Sequence, residues 1–169
     1  MKPGVLQIAP MMQHVEAALN NAYTVYRYWD AANKDALISA NADNIRAVAT
    51  SGHHGCPKEV MAGLPNLEII ASYGVGYDAI DVAACKAAGV RVSNTPDVLN
   101  DAVAEITLGL MIALCRRIPQ ADQHTRNGQW LSGNYPLTGE LTGAKVGILG
   151  LGRIGKEIAR LGSEHLLFL

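Results

Sequence analysis

The chain has no long apolar run. No stretch approaches the ~18 to 20 residues that span a bilayer, so no membrane partner is expected. It also has no basic block. Fourteen Lys and Arg against fifteen Asp and Glu leave a net charge of −1, with no electrostatic footprint for nucleic acid, and small molecules are the expected partners. Cysteine is scarce: Cys56, Cys85 and Cys115 form an odd set without C-x-x-C spacing, which argues against a disulfide framework and reads as small buried side chains or bystanders. The opening Met1-Lys-Pro-Gly leads to a strand instead of a secretory apolar core, so a cytoplasmic setting is expected. Metal-ligand spacing is missing as well. The adjacent His53 and His54 have no carboxylate or third ligand near them, and in an extended segment they would point to opposite sides, as loop residues without a role.

What is present is core material, 49% hydrophobic against 17% charged, over 169 residues, which is enough for one domain or one domain and part of another. The segments alternate. Strands are expected at Val5 to Ile8, Tyr23 to Arg27, Ile45 to Thr50, Leu67 to Ser72 and Val90 to Ser93, with helices at His14 to Leu19, Lys34 to Ala40, Lys58 to Ala62 and Asp81 to Ala88. Repeated β then α implies an α/β fold, a doubly wound parallel sheet covered on both faces. Asp81 is a suitable N-cap, and Gly89 stands where a left-handed C-terminal residue is wanted. Asp78, close by, is read as ordering the preceding glycine loop.

Pro96 breaks the pattern and suits a domain crossover. Two domains are therefore expected, residues 1–98 and 99–169. The second opens with a helix from Asn100 to Arg117, capped by Asn100 and apolar on nearly every side, which something must cover. A helix from Gln120 to Asn127 and a polar loop to Gly143 follow.

Next comes the most specific stretch, Lys145-Val-Gly-Ile-Leu-Gly150-Leu-Gly152-Arg-Ile-Gly155, a strand at Val146 to Leu149, a Gly-x-Gly-x-x-Gly turn and a helix at Lys156 to Leu161. Gly150 permits the tight turn, Gly152 lets backbone approach a pyrophosphate, and Gly155 lets helix and strand pack closely. The helix N-terminus offers N–H groups and partial positive charge to phosphate. The carboxylate that holds the adenosine ribose normally lies about 20 residues further on, whereas only 14 residues follow Gly155. The nucleotide grip is expected to be unfinished.

Four stretches in order resemble the D-isomer-specific 2-hydroxyacid dehydrogenases, in the hydroxypyruvate and glyoxylate reductase-like branch: Leu67 to Asp81, Gly89 to Pro96, Asp101 to Glu105 and Gly143 to Gly155. The resemblance spans residues 5 to 160. It implies a flavodoxin-like substrate domain followed by the start of a Rossmann dinucleotide-binding domain. The implied activity is that of an NAD(P)-dependent oxidoreductase, reducing a 2-oxo acid such as glyoxylate or hydroxypyruvate to a D-2-hydroxy acid with NADH or NADPH. It places the backbone N–H groups of Val75 and Gly76 on the substrate carboxylate, and Thr50, Ser51 and Gly52 on another wall of the same cleft. It also places Val103 against the nicotinamide, puts Gly150, Gly152, Arg153, Ile154 and Gly155 at the pyrophosphate, and implies a homodimer in the full-length family.

The arginine, glutamate and histidine that perform the family's chemistry lie C-terminal to the glycine turn, so no catalytic residue is assigned. Glu164 and His165 stand too near the glycines to replace them. Gly162-Ser163 is expected to break the helix early, and the apolar Leu166 to Leu169 to find no sheet to join unless it pairs out of place. A truncated or frame-shifted reading frame is the expectation, and the chain is expected to be inactive alone. The alternatives are a non-catalytic fragment acting through dimer-type helix contacts, or a module that binds small carboxylates without turnover.

Overall fold

The computed structural model describes residues 2–163 together with 167 and 168. The chain divides into two compact units, Met1–Val98 and Leu99–Leu169.

The first unit alternates β1 (Gly4–Gln7), α1 (Gln13–Ala22), β2 (Thr24–Arg27), α2 (Lys34–Asn41), β3 (Ile45–Ser51), α3 (Lys58–Ala62), β4 (Ile69–Tyr73), α4 (Val82–Ala87) and β5 (Arg91–Ser93). All pairings are parallel, in the order β2-β1-β3-β4-β5. This is the α/β sheet that the alternation implied, with its order reversing between β1 and β3. Period-two alternation puts Leu6, Val48 and Ile70 on one face, where they meet Ile38 of α2, Val60 of α3 and Cys85 of α4 in the main core. Gln7, on the other face, donates through Nε2 to Oε1 of Glu16 at 3.0 Å, which seats α1 there. Within this unit that second face is only partly covered. Ala47, Ile69 and Ala71 line an apolar trough of about 370 Å3 beyond α1.

Helix ends follow local chemistry. Asp81 Oδ1 accepts from the Ala84 N–H at 2.9 Å, Asn33 does the same for Ala36 at 2.9 Å, and Gly89 takes φ +73°. The backbone donor on Ala84 and the Lys58 ammonium at 2.9 Å hold the Asp81 carboxyl below the ordinary carboxylate range. Burial pushes the Cys56 thiol up to about 12. That suits a packing residue.

The second unit holds α5 (Asn100–Cys115), α6 (Ile118–Arg126), a single 3-10 turn (Gln129–Leu131), β6 (Lys145–Val146), α7 (Arg153–Gly162) and β7 (Leu167–Phe168). Here several expectations change. Leu99, not Asn100, is the N-cap of α5 and makes no side-chain capping bond, because Asn100 has already entered the helix. Ala104 is the sole buried residue of α5 among the described ones; one side of the helix packs on α7, while Leu110 is 63% and Leu114 79% exposed, so part of its apolar surface meets no cover within its unit.

The strand before the glycine turn is two residues long instead of four, because its ladder extends no further than its partner: Lys145 pairs with Leu167 and Val146 with Phe168, in parallel. Far from lacking a sheet, the end of the chain closes a short β-α-β unit. α7 ends where Gly162-Ser163 was expected to break it, with Gly162 its last residue, buried, and Ser163 the C-cap. Glu164 and His165 fall outside the described residues.

Candidate functional site

In the first unit the loops after β3 and β4 leave the carboxyl ends of neighbouring strands, the side on which open α/β sheets place their ligands. Ser51 pairs with Tyr73 in the ladder, and an isolated bridge joins Cys56 to Ile80 at the far end of both loops. Two glycines allow them to run side by side. A Cβ on Gly52 would stand 2.3 Å from the carbonyl oxygen of Gly76, and one on Gly55 would stand 1.9 Å from that of Ala79. Gly55 also takes φ +61° and Gly74 φ +153°, conformations that favour glycine. The four expected substrate residues, Ser51, Gly52, Val75 and Gly76, are thus brought together.

The loop carrying Val75 and Gly76 is pinned from β5. Asn94 Nδ2 donates to the Val75 carbonyl at 2.8 Å, and the Thr95 N–H donates to the Gly74 carbonyl at 2.9 Å. Among the described residues neither the Val75 nor the Gly76 N–H donates to a backbone carbonyl. A Cβ on Gly76 would meet only Asp78 Oδ2, at 3.8 Å, so backbone is presented there with little over it. Two adjacent main-chain donors held in a fixed turn form a receptor for an anion.

Thr50 departs from its expected place on the wall. It is fully buried, and its hydroxyl donates to the Gly55 carbonyl, stapling the loop from beneath. His53 and His54 depart as well. The segment is a tight turn, with the Gly55 N–H on the Ser51 carbonyl at 2.9 Å, so the rings do not diverge but meet edge to face at 5.2 Å. His54 Nδ1 lies 2.8 Å from Ser51 Oγ. Asp78 is exposed, and no hydrogen bond ties it to the glycine loop among the described residues. No group of three or more His, Cys, Asp or Glu with metal-binding geometry occurs among them either.

Sequence reasoning missed two supports. Asn94 was visible in the Asn-Thr-Pro stretch, but its amide's target was not. Glu16 Oε1 accepts from the Met11 N–H and from Gln7 Nε2, both at 3.0 Å, and so fixes the β1–α1 turn at the reversal point of the sheet. These donors, Met11 first, hold the Glu16 carboxyl below its ordinary range. No local motif marks that bond.

In the second unit the glycine turn has the geometry its spacing implies. Gly150 takes φ +95°, and Gly155, buried in the first turn of α7, comes so close that a Cβ would stand 2.3 Å from the Gly150 carbonyl oxygen. A Cβ on Gly152 would meet no protein atom within 4 Å. Backbone conformation therefore demands glycine at position 150 and protein packing demands it at 155, whereas at 152 only something approaching from outside would. Gly152 is the N-cap of α7, no side chain caps the helix, and its first backbone bond is Lys156 N–H to the Gly152 carbonyl at 3.0 Å. The Ile154 and Gly155 N–H groups have no acceptor among the described residues. This donor set fits a pyrophosphate. Val103, half-buried in the first turn of α5, lies in the same unit.

Known proteins share this fold. The chain is 42% identical over 157 residues to glyoxylate/hydroxypyruvate reductase A of Arabidopsis thaliana, covering 93% of this chain and 50% of that protein. The solved 2-hydroxyacid dehydrogenase of Ketogulonicigenium vulgare superposes with a TM-score of 0.94 at 41% identity, over 99% of this chain and 53% of that one. The NADPH-dependent glyoxylate/hydroxypyruvate reductase of Sinorhizobium meliloti, solved with NADP and malonate, superposes with a TM-score of 0.84 at 35% identity, over 99% and 53%. The chain spans about half the length of these relatives. Residues 5–163 match the family described as D-isomer specific 2-hydroxyacid dehydrogenase, catalytic domain, and the chain belongs to that family.

Proposed function

We propose that the chain carries the substrate-binding part, residues 1–98, and the first part of the NAD(P)-binding domain, residues 99–169, of a reductase that converts a glyoxylate- or hydroxypyruvate-type 2-oxo acid to a D-2-hydroxy acid. The observation that carries this reading is the pair of N–H groups at Val75 and Gly76, unpaired among the described residues and held in a turn that the segments after β3 and β5 brace from both sides. They receive the substrate carboxylate, with Ser51 and Gly52 as the adjoining wall, and orient the oxo carbon. The turn Gly150–Gly155, with Arg153 and Ile154, holds the pyrophosphate, and Val103 packs against the nicotinamide. Bound NADH or NADPH supplies the hydride.

Proton transfer to the new alkoxide needs a general acid, and polarising the oxo group needs a cation. The resemblance puts those groups beyond Gly155, and no residue up to Leu169 takes their place. The 169-residue chain alone therefore binds without turnover. A titration of the isotope-labelled chain with glyoxylate tests this: the Val75 and Gly76 amides move, and nicotinamide absorbance stays constant in the presence of NADPH. Shifts confined to other residues would remove the proposal.

A second reading rests on one observation, the exposed apolar side chains Ile106, Leu110, Ile112 and Leu114 along α5. A homodimer built on this helix would cover them, and light scattering of the chain reads that assembly directly.

A further inference from the structure

Between the two contacts that press the loops together, Gly52 on Gly76 and Gly55 on Ala79, the β3 loop carries two exposed imidazoles. His54 is not a free rotor. Its Nδ1 lies 2.8 Å from Ser51 Oγ, its backbone N–H reaches the same oxygen at 3.4 Å, and the His53 ring stands edge-on to it at 5.2 Å. This turns Nε2 away from the serine. Where Ser51 Oγ donates its one hydrogen to Nδ1, the neutral ring carries its proton on Nε2, and in the charged ring both nitrogens carry protons, so with the serine as donor Nε2 donates in either state.

The loop that carries the ring is also placed. Ser51 is the ladder neighbour of Tyr73, one strand spacing of about 4.8 Å away, and Gly74, Val75 and Gly76 follow directly. Gly52, two residues before His54, packs on Gly76 itself, so the imidazole loop runs alongside the turn that presents the two amides.

We infer that His54, oriented by Ser51, is a specificity-determining residue that donates from Nε2 to an acceptor oxygen on the third carbon of the 2-oxo acid, favouring 3-hydroxy-2-oxo acids over their unsubstituted counterparts. The inference rests on the proposed carboxylate site at Val75 and Gly76. A net hydrogen bond of this kind corresponds to about a fivefold preference.

The test measures the affinities of hydroxypyruvate and pyruvate for the full 169-residue chain by NMR titration, following the Val75 and Gly76 amides and the His54 ring together. The native chain binds hydroxypyruvate about fivefold more tightly, with the His54 ring resonances moving only for that ligand. His54→Ala brings hydroxypyruvate to the affinity of pyruvate. His54→Gln, which restores an N–H donor, recovers part of the preference, and Ser51→Ala, which frees the ring, weakens it, whereas His53→Ala leaves the His54 response to hydroxypyruvate in place. If both acids move the two amides with equal affinity, or if the preference survives His54→Ala, the inference is overturned while the carboxylate site stands. If neither acid moves those amides, the carboxylate site fails and the inference falls with it.

Discussion

Substituting one glycine on each of the two zipped loops separates the packing role of glycine from its binding role. In Gly52→Ala the new Cβ would lie 2.3 Å from the Gly76 carbonyl oxygen and 2.9 Å from its carbon. Ordinary contact lies near 3.4 Å, so the loops must part by about 1 Å, and the obstruction is backbone on both sides. Overpacking of this kind costs about 1–3 kcal/mol, and in a unit of this size each kcal/mol lowers Tm by roughly 4–8 °C. Gly76→Ala makes the opposite test. Its Cβ would meet only Asp78 Oδ2 at 3.8 Å, an ordinary contact, so stability changes by no more than about 0.5 kcal/mol, yet a methyl now stands where an anion must approach the amide. Thermal unfolding followed by circular dichroism, paired with glyoxylate titration of the Val75 and Gly76 amides, should give a destabilised weak binder for the first variant and a stable non-binder for the second. A Gly52→Ala chain as stable as the native one would show that the loops are not pressed together. A Gly76→Ala chain that binds normally would show that the anion does not sit on these amides.

The nucleotide turn should divide in the same way. Gly155→Ala drives a Cβ against the Gly150 carbonyl, displacing the start of α7, while Gly152→Ala meets no protein atom; both should abolish ADP binding by calorimetry, but only the first should lower Tm. Asp81→Asn keeps a helix-capping acceptor but loses the charge paired with Lys58. Because the folded carboxyl is depressed, its stabilisation is full above the ordinary carboxylate range near 4 and drains as pH falls through the folded value. The Tm difference between native and Asp81→Asn should therefore be largest at pH 7 and shrink as the pH falls through the folded value. Leu110→Glu with Leu114→Glu should leave the far-ultraviolet spectrum unchanged and shift any self-associated chain to monomer in light scattering.

The parts legible in the sequence are those in which a residue's local chemistry decides its structure. Asp81 caps α4 and Gly89 turns left-handed because a carboxylate at an N-terminus and a missing Cβ act over a few residues. The Gly150–Gly155 spacing announces its geometry for the same reason: the first glycine needs positive φ and the third must approach the carbonyl of the first, both within one turn. What was illegible depends on partners distant along the chain. The length of β6 is set by how far β7 pairs with it, some twenty residues on, and the same pairing turns an apolar end that looked surplus into the second strand of a β-α-β unit. Glu16 reads as any helix-surface acid until the fold brings it to the Met11 N–H and the Gln7 amide. His53 and His54 looked idle because an extended segment would splay them apart, and a single backbone bond, Gly55 N–H to the Ser51 carbonyl, curls the segment and brings His54 onto the serine. The candidate site follows the same division. The glycines that admit ligands can be read one at a time, whereas the side chains that would choose among ligands take their meaning from contacts that only the folded loops create.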